Sequence, residues 1–263
     1  MEANVEIAGK SFTLQSDDAY LEAVGPVFEP EMVALFRCFA QGTVLDIGAN
    51  IGCTALALSS MADVVHAFEP SPSTFRLLRT NTSVAPNIVL HNYGLGAEKG
   101  AFELTFAPNN RSGGYVSNQL RASEGHTVES IAIDELDNVA GLLNLDAIDF
   151  IKIDVEGFEG SVIKGGTRTL KKFRPVVALE LNHWCLNAFQ RITVPDFLDS
   201  LRATFPILYA VHDDTYQDLH DSDESYIVMH RHIVMMKYPT LVGAFHPNQM
   251  ARFHEHFRHE AVA

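Results

Sequence analysis

Residues 42–52 read Gly42-Thr43-Val44-Leu45-Asp46-Ile47-Gly48-Ala49-Asn50-Ile51-Gly52. Thr43 to Ile47 is a short apolar run with the length of a buried strand, and it feeds directly into a glycine-bounded turn. Cys53-Thr54-Ala55-Leu56-Ala57-Leu58 follows with helical spacing. Strand, tight turn and helix in that order form the opening unit of a doubly wound α/β nucleotide-binding sheet. The spacing differs from G-x-G-x-x-G, the pattern that lets a backbone approach a pyrophosphate. Here an acid precedes the first glycine, giving Asp46-x-Gly48-x-x-x-Gly52. A second acid, Glu69, ends the next strand-like run, Val64 to Phe68, where a carboxylate suits the two hydroxyls of a ribose. The pair points to an adenosine ligand that carries an amine and no phosphate, and S-adenosylmethionine fits that description.

The flanking sequence extends the same alternation. Residues 3–15 alternate around Gly9-Lys10 and predict a small hairpin. Residues 17–25 predict a short helix or lid, and Pro30 sits just inside the start of an amphipathic helix over Met32 to Phe39. Further strands are expected at 87–92, 100–106, 127–133, 147–154, 175–181 and 207–211, with a loop over 108–114. Helices are expected from Ser73, after Asp134 (about ten residues), over 158–171 and over 194–204. The acid-rich stretch 212–225 reads as an exposed loop, 225–235 as one or two strand-length pieces, and 247–259 as helix. The division expected is 1–40 as hairpin and cover helix, 41–240 as the main domain, and 241–263 as a helical tail. Strands alternating with helices at this spacing argue for a mostly parallel sheet.

Composition narrows the class. In 263 residues there are 33 acidic and 19 basic side chains, a formal net charge of −14. That balance disfavours nucleic acid, which rewards a basic surface. The hydrophobic share of 47% suffices for a full core. No run approaches the roughly 18 apolar residues of a membrane span. Three scattered cysteines, Cys38, Cys53 and Cys185, suggest a reducing compartment and no disulfide framework. With no basic and apolar leader at the N-terminus, the expectation is a cytoplasmic protein.

With these residues placed, the chain resembles the FkbM-type methyltransferases, a branch of the S-adenosylmethionine-dependent class I enzymes. The matching pieces are Phe28-Glu29-Pro30, Val44 through Gly52, Ala67-Phe68-Glu69-Pro70, and Ile148 through Glu159 with its Lys152-x-Asp154-x-Glu156-Gly157-x-Glu159 core. The resemblance covers about residues 26–182 and weakens after 183. It implies a seven-stranded, mostly parallel Rossmann-like sheet whose last strand runs antiparallel. It also implies methyl transfer to a hydroxyl oxygen of a small molecule, often a sugar or natural product. In that reading Asp46, Gly48, Ala49, Asn50 and Gly52 lie against the aminopropyl end of S-adenosylmethionine, Glu69 takes the ribose, Leu95 lies near the adenine, and Glu29 closes over the methionine end.

An acceptor alcohol ionises far above neutral pH and needs a base or a metal. Lys152, Asp154 and Glu156 alternate toward the carboxyl edge of the fourth core strand, and Glu180-Leu181-Asn182-His183 ends the fifth. Two readings stand side by side. In one, Asp154, Glu180 and Asn182 hold Mg2+ through oxygen ligands. In the other no metal is used, Lys152 pairs with the carboxylates, and Asp154 or His183 takes the proton. A salt bridge from Lys152 to Glu180 is the purely structural alternative. A nicotinamide-dependent oxidoreductase and a non-catalytic S-adenosylmethionine-binding module are the rival functions. The expected partner is a small hydroxylated acceptor, and a homo-oligomer stays open.

Overall fold

The structure, a computed structural model, describes residues 1–107, 110–117 and 122–260. Positions 108 and 109 of the expected loop, and 261–263 of the expected tail, lie outside the described residues. In chain order the strands are β1 (Glu2–Ile7), β2 (Lys10–Gln15), β3 (Thr43–Ile47), β4 (Val64–Phe68), β5 (Ile88–His91), β6 (Gly94–Leu95), β7 (Gly100–Phe106), β8 (Tyr115–Val116), β9 (Thr127–Asp134), β10 (Phe150–Ile153), β11 (Val176–Glu180), β12 (Ile207–His212), β13 (Thr215–Asp218), β14 (Thr240–Ala244) and β15 (Arg258–His259).

The main sheet runs β15-β13-β12-β14-β11-β10-β3-β4-β5. β10, β11, β3, β4 and β5 are mutually parallel, as the crossover helices require. β14 lies antiparallel between β11 and β12, β13 turns back against β12, and β15 runs parallel to β13. The sheet therefore has nine strands rather than the seven expected.

One extra strand is β15, and the other comes from 212–225, which is not an exposed loop. It turns at Asp213 into β13, with Gln217 and Leu219 buried. Residues 222–235 are likewise not strands but one helix, Ser222–Met235. Asp221 caps it by accepting from the backbone N–H groups of Asp223 and Glu224. Its buried positions are Glu224, Ser225, Val228 and His232. A spacing of four along one face outweighs the strand preference of its isoleucines and valines. The segment expected as a helical tail begins as β14, buried along its whole length. Beyond it come a 3-10 turn at Pro247–Met250, a helix at Ala251–His256 and then β15. The helix expected over 158–171 is two, Glu159–Gly165 and Thr167–Phe173.

Alternation along the central strands divides the core. Leu45, Ile47, Ile151, Ile153, Val177 and Leu179 face the helices Leu136–Leu142, Glu159–Gly165 and Val194–Arg202. Val44, Phe150, Val176 and Val242 face Pro30–Phe39, Cys53–Ser59 and Ala251–His256. Helices on both faces are what a parallel sheet needs, because each of its strands is apolar on both sides. A separate sheet in the order β6-β9-β7-β8 stands beside the carboxyl edge, and the hairpin β1–β2 packs Val5, Ile7 and Leu14 into the second core. Among the described residues no helix is long and apolar enough to cross a membrane.

Candidate active site

The site begins with one polar pair inside an otherwise apolar sheet face. Asp46 and Lys152 are register partners on β3 and β10. Neither reaches solvent: Asp46 is 0% and Lys152 4% exposed. Lys152 Nζ lies 3.4 Å from Asp46 Oδ1 and 3.5 Å from Asp154 Oδ2, and it donates to the Gly48 carbonyl at 2.8 Å. Thr54 Oγ1, from the first turn of the following helix, donates to Asp46 Oδ2 at 2.7 Å. Burial acts to lower the Lys152 pKa, but the charges of Asp154 and Asp46 outweigh it and raise the group above the usual lysine value. Lys152 thus ties the loop to both strand ends, and its ion-pair partners are Asp46 and Asp154 rather than Glu180.

The loop 48–52 is shaped by this cation and by close approach. A Cβ at Gly48, where φ is +83°, would fall 1.8 Å from the Asp154 carbonyl oxygen, so only glycine lets β3 and β10 end side by side. Gly52 has a different job. A Cβ there would meet Thr82 and Leu78, so it allows the helix Cys53–Ser59 to pack on Pro72–Asn81 and does not line the crevice. Asp46 does not line it either. The loop amides are also turned inward. Gly48 and Ala49 donate to the Phe68 carbonyl, both at 3.0 Å, and Gly52 to the Ala49 carbonyl at 2.9 Å. Asp46 and Gly52 therefore stand behind the crevice walls, and the amides of Gly48, Ala49 and Gly52 are already engaged within the fold.

Glu69, just past β4, is 7% exposed and held from both sides. Its Oε1 accepts from the Ser71 amide at 2.9 Å and its Oε2 from the Asn50 amide at 3.1 Å. Burial pushes its carboxyl up to about 7, against the lowering effect of those two amides. Ser71 Oγ in turn donates to Glu129 Oε2 at 2.6 Å.

A crevice of about 210 Å³ opens over this edge. Its walls include Gly48, Ala49, Asn50 and Glu69 on one side, Leu95, Ile133 and Phe158 on another, and Glu29, Lys152, Asp154 and Glu156 at the end. Glu29 caps the helix Pro30–Phe39 at φ 25°, ψ 72°, outside the usual regions for a side chain of its size. Enclosure by the crevice walls, and then the charge of Asp154, raise its carboxyl above the ordinary value. Tyr20 and Arg111 also line the crevice. Arg111 Nε bonds Asp17 Oδ1 at 2.5 Å and its amide donates to Asp18 Oδ2 at 2.9 Å, which ties the 110–114 turn to the N-terminal segment. Partners 94 residues apart share no local pattern, so this tie leaves no mark in the sequence.

Three carboxylates meet where β10 and β11 end. Single oxygens of Asp154, Glu156 and Glu180 lie within 4.8 Å of one another. Asn182, expected in this set, is otherwise engaged: its Oδ1 accepts from the Cys185 amide at 3.1 Å and its Nδ2 approaches Glu156 at 3.5 Å. Glu156 takes its place because the chain leaves β10 at Ile153 and turns back through a left-handed Glu156, φ 53°. Burial and then the Asp154 charge lift Glu156 to about 7, and burial followed by Asp154 and Glu156 lifts Glu180 well above the carboxylate range. His183 is not among the crevice-lining residues. Its ring stands edge-on to His232, with 5.2 Å between centroids.

The carboxyl edge of this doubly wound sheet, where such folds gather ligands, thus carries a buried acid, an inward-turned glycine loop and a lysine-locked acidic end. Residues 46–220 match the family model described as the methyltransferase FkbM domain, and the chain belongs to that family. Hexuronic acid methyltransferase AglP of Haloferax volcanii is 33% identical over 133 residues, covering 50% of this chain and 53% of that one. The 2-O-methyltransferase NoeI of Sinorhizobium fredii is 30% identical over 148 residues, covering 50% and 60%. The chain thus spans little more than half the length of these curated relatives. Among solved structures, an FkbM methyltransferase from Methylobacillus flagellatus superposes with a TM-score of 0.46 at 20% identity, over 76% of this chain and 43% of the other.

Proposed function

We propose that the chain transfers a methyl group from S-adenosylmethionine to a hydroxyl oxygen of a small molecule, with a sugar as the leading acceptor class. The observation that carries this reading is Glu69, a buried acceptor at a strand end, beside a loop whose amides are turned inward. Hydroxyl groups of a ribose can donate to that carboxylate. A pyrophosphate would need the amides of Gly48, Ala49 and Asn50, which already serve Phe68 and Glu69. That argues against a nicotinamide dinucleotide. The sugar class is supported by the two named relatives, which are similar to this chain over about half its length.

In this reading Leu95 and Ile133 flank the adenine, Glu69 holds the ribose, and Glu29 and Asp154 face the methionine end. A sulfonium methyl is already activated, so the protein supplies alignment and a proton acceptor. Glu156, raised to about 7 and open to the crevice, suits the acceptor role at neutral pH. Asp154, Glu156 and Glu180 also offer the oxygen donors a hard divalent cation prefers, and such an ion would lower the pKa of the acceptor hydroxyl. Turnover that survives EDTA assigns the proton to the carboxylates alone. Turnover lost to EDTA and restored by Mg2+ assigns the acids to a cation.

Calorimetry with S-adenosylhomocysteine tests the donor half. Saturable binding with no binding of NAD supports the reading, and the reverse result overturns it.

A further inference from the structure

A second cleft adjoins the donor crevice, and nothing above uses it. It measures about 320 Å³ and shares two walls with the first, Glu29 and Met32. It lies between the start of the helix Pro30–Phe39, the end of β12 and the start of the antiparallel β14, so it opens on the same carboxyl edge of the sheet. In open α/β sheets that edge is where ligands gather. Its floor is apolar, built from Met32, Leu35 and Val211. Its rim is acidic. Glu29, Glu31 and Asp213 stand there, with Glu31 exposed at the first turn of its helix and Asp213 70% exposed at the β12–β13 turn. The lysine of this cleft, Lys237, is already matched, 3.1 Å from Glu260 Oε1.

We infer that this cleft is the acceptor subsite and that it takes a neutral polyhydroxylated ring in preference to a carboxylated one. The inference rests on the proposed methyl transfer to a sugar. Three features carry it. The shared wall at Glu29 and Met32 makes the two spaces neighbours, so a ring seated on the apolar floor can present a hydroxyl toward the donor crevice. An apolar floor under an acidic rim matches the two aspects of a sugar ring: C–H faces pack on methionine and leucine, and hydroxyls donate to carboxylates. The charge balance excludes an anion, since a uronate would meet three rim carboxylates and one lysine that Glu260 has already neutralised.

The test uses the full chain with two ligand families, neutral methyl hexopyranosides and the matching methyl hexuronosides. Saturation-transfer NMR with S-adenosylhomocysteine present reads binding, and formation of S-adenosylhomocysteine from the methyl donor reads turnover. Neutral glycosides should give signals and uronosides should not. Glu31→Trp, an exposed helix position that fills the mouth of the cleft, should abolish the glycoside signal while the Kd for S-adenosylhomocysteine stays within twofold. The pair Glu31→Lys with Asp213→Lys should move the preference at least tenfold toward uronosides. Unchanged glycoside binding in Glu31→Trp, a parent that prefers uronosides, or a parent that binds neither family overturns the inference. Failure of the parent to bind S-adenosylhomocysteine strikes the functional reading itself, and calorimetry separates that outcome from the others.

Discussion

Glu69 and Lys152 are both buried ionisable groups, yet only Glu69 is poised to titrate near neutral pH. Burial lifts Glu69 from 4.5 to about 7 in the folded chain. An acid with a raised folded-state pKa binds its proton more tightly when folded. Its contribution to stability is fully present below the unfolded value and declines as pH rises through the folded one. Ligand binding runs the other way, because ribose hydroxyls donate to the ionised form. The Kd for S-adenosylhomocysteine should therefore rise roughly tenfold between pH 8 and pH 6, and Glu69→Gln should flatten that profile in calorimetric titrations. Lys152 has no such window, as Asp154 and Asp46 keep it charged. Removing it in Lys152→Met leaves Asp46 buried without a counterion, a loss of about 3–5 kcal/mol in chemical denaturation. Adding Asp46→Asn should recover part of that loss, the signature of a coupled pair.

At the level of elements, the chain announces what is local and hides what is not. The strand–loop–helix unit at 43–59 and the acids at the ends of β3, β4 and β10 were legible because each rests on a short run of residues with a chemical reason for its spacing. The roles inside that unit were less so. Asp46 and Gly52 support the crevice without lining it, because their contacts go to Lys152 and Leu78, residues far away in sequence. Glu156 was visible in the motif, but a left-handed backbone, not strand alternation, brings it to Asp154. The helix Ser222–Met235 was misread because Ile227, Val228, Ile233 and Val234 favour strands, while its cap and its buried face at 224, 228 and 232 favour helix. The cap carries much of that choice. Asp221→Ala should destabilise the protein by about 0.5–2 kcal/mol, seen as a lower melting temperature with little change in S-adenosylhomocysteine affinity.

Across the whole molecule, Glu260 fastens the far edge of the sheet. Its carboxylate receives Lys237 Nζ at 3.1 Å and Tyr238 Oη at 3.1 Å, and its carbonyl receives Gln217 Nε2 at 2.6 Å. Burial tends to raise its pKa, but the bonds from Lys237 and Tyr238 prevail and lower it. Its support is thus present above the unfolded value and fades as pH falls through the folded one. Glu260→Gln should cost about 1–3 kcal/mol at neutral pH and nothing below the acid transition, as urea melts at several pH values would show. Such distant fastenings have no trace in a one-dimensional pattern, which is why the nine-stranded edge was read as loop and tail.

The antiparallel strand β14 has one more consequence, for the birth of the chain on the ribosome. It slots between β11 and β12, both made earlier, so β12 has no seat in the sheet until residues 240–244 have been synthesised. The half built on β3, β4, β5, β10 and β11 can assemble first, leaving β11 with a bare flank. A nascent chain halted near residue 235 should then yield a protease-resistant core ending close to Leu181, with everything after it open to cleavage. The last inserted strand acts as a keystone, and the far side of the molecule waits for it.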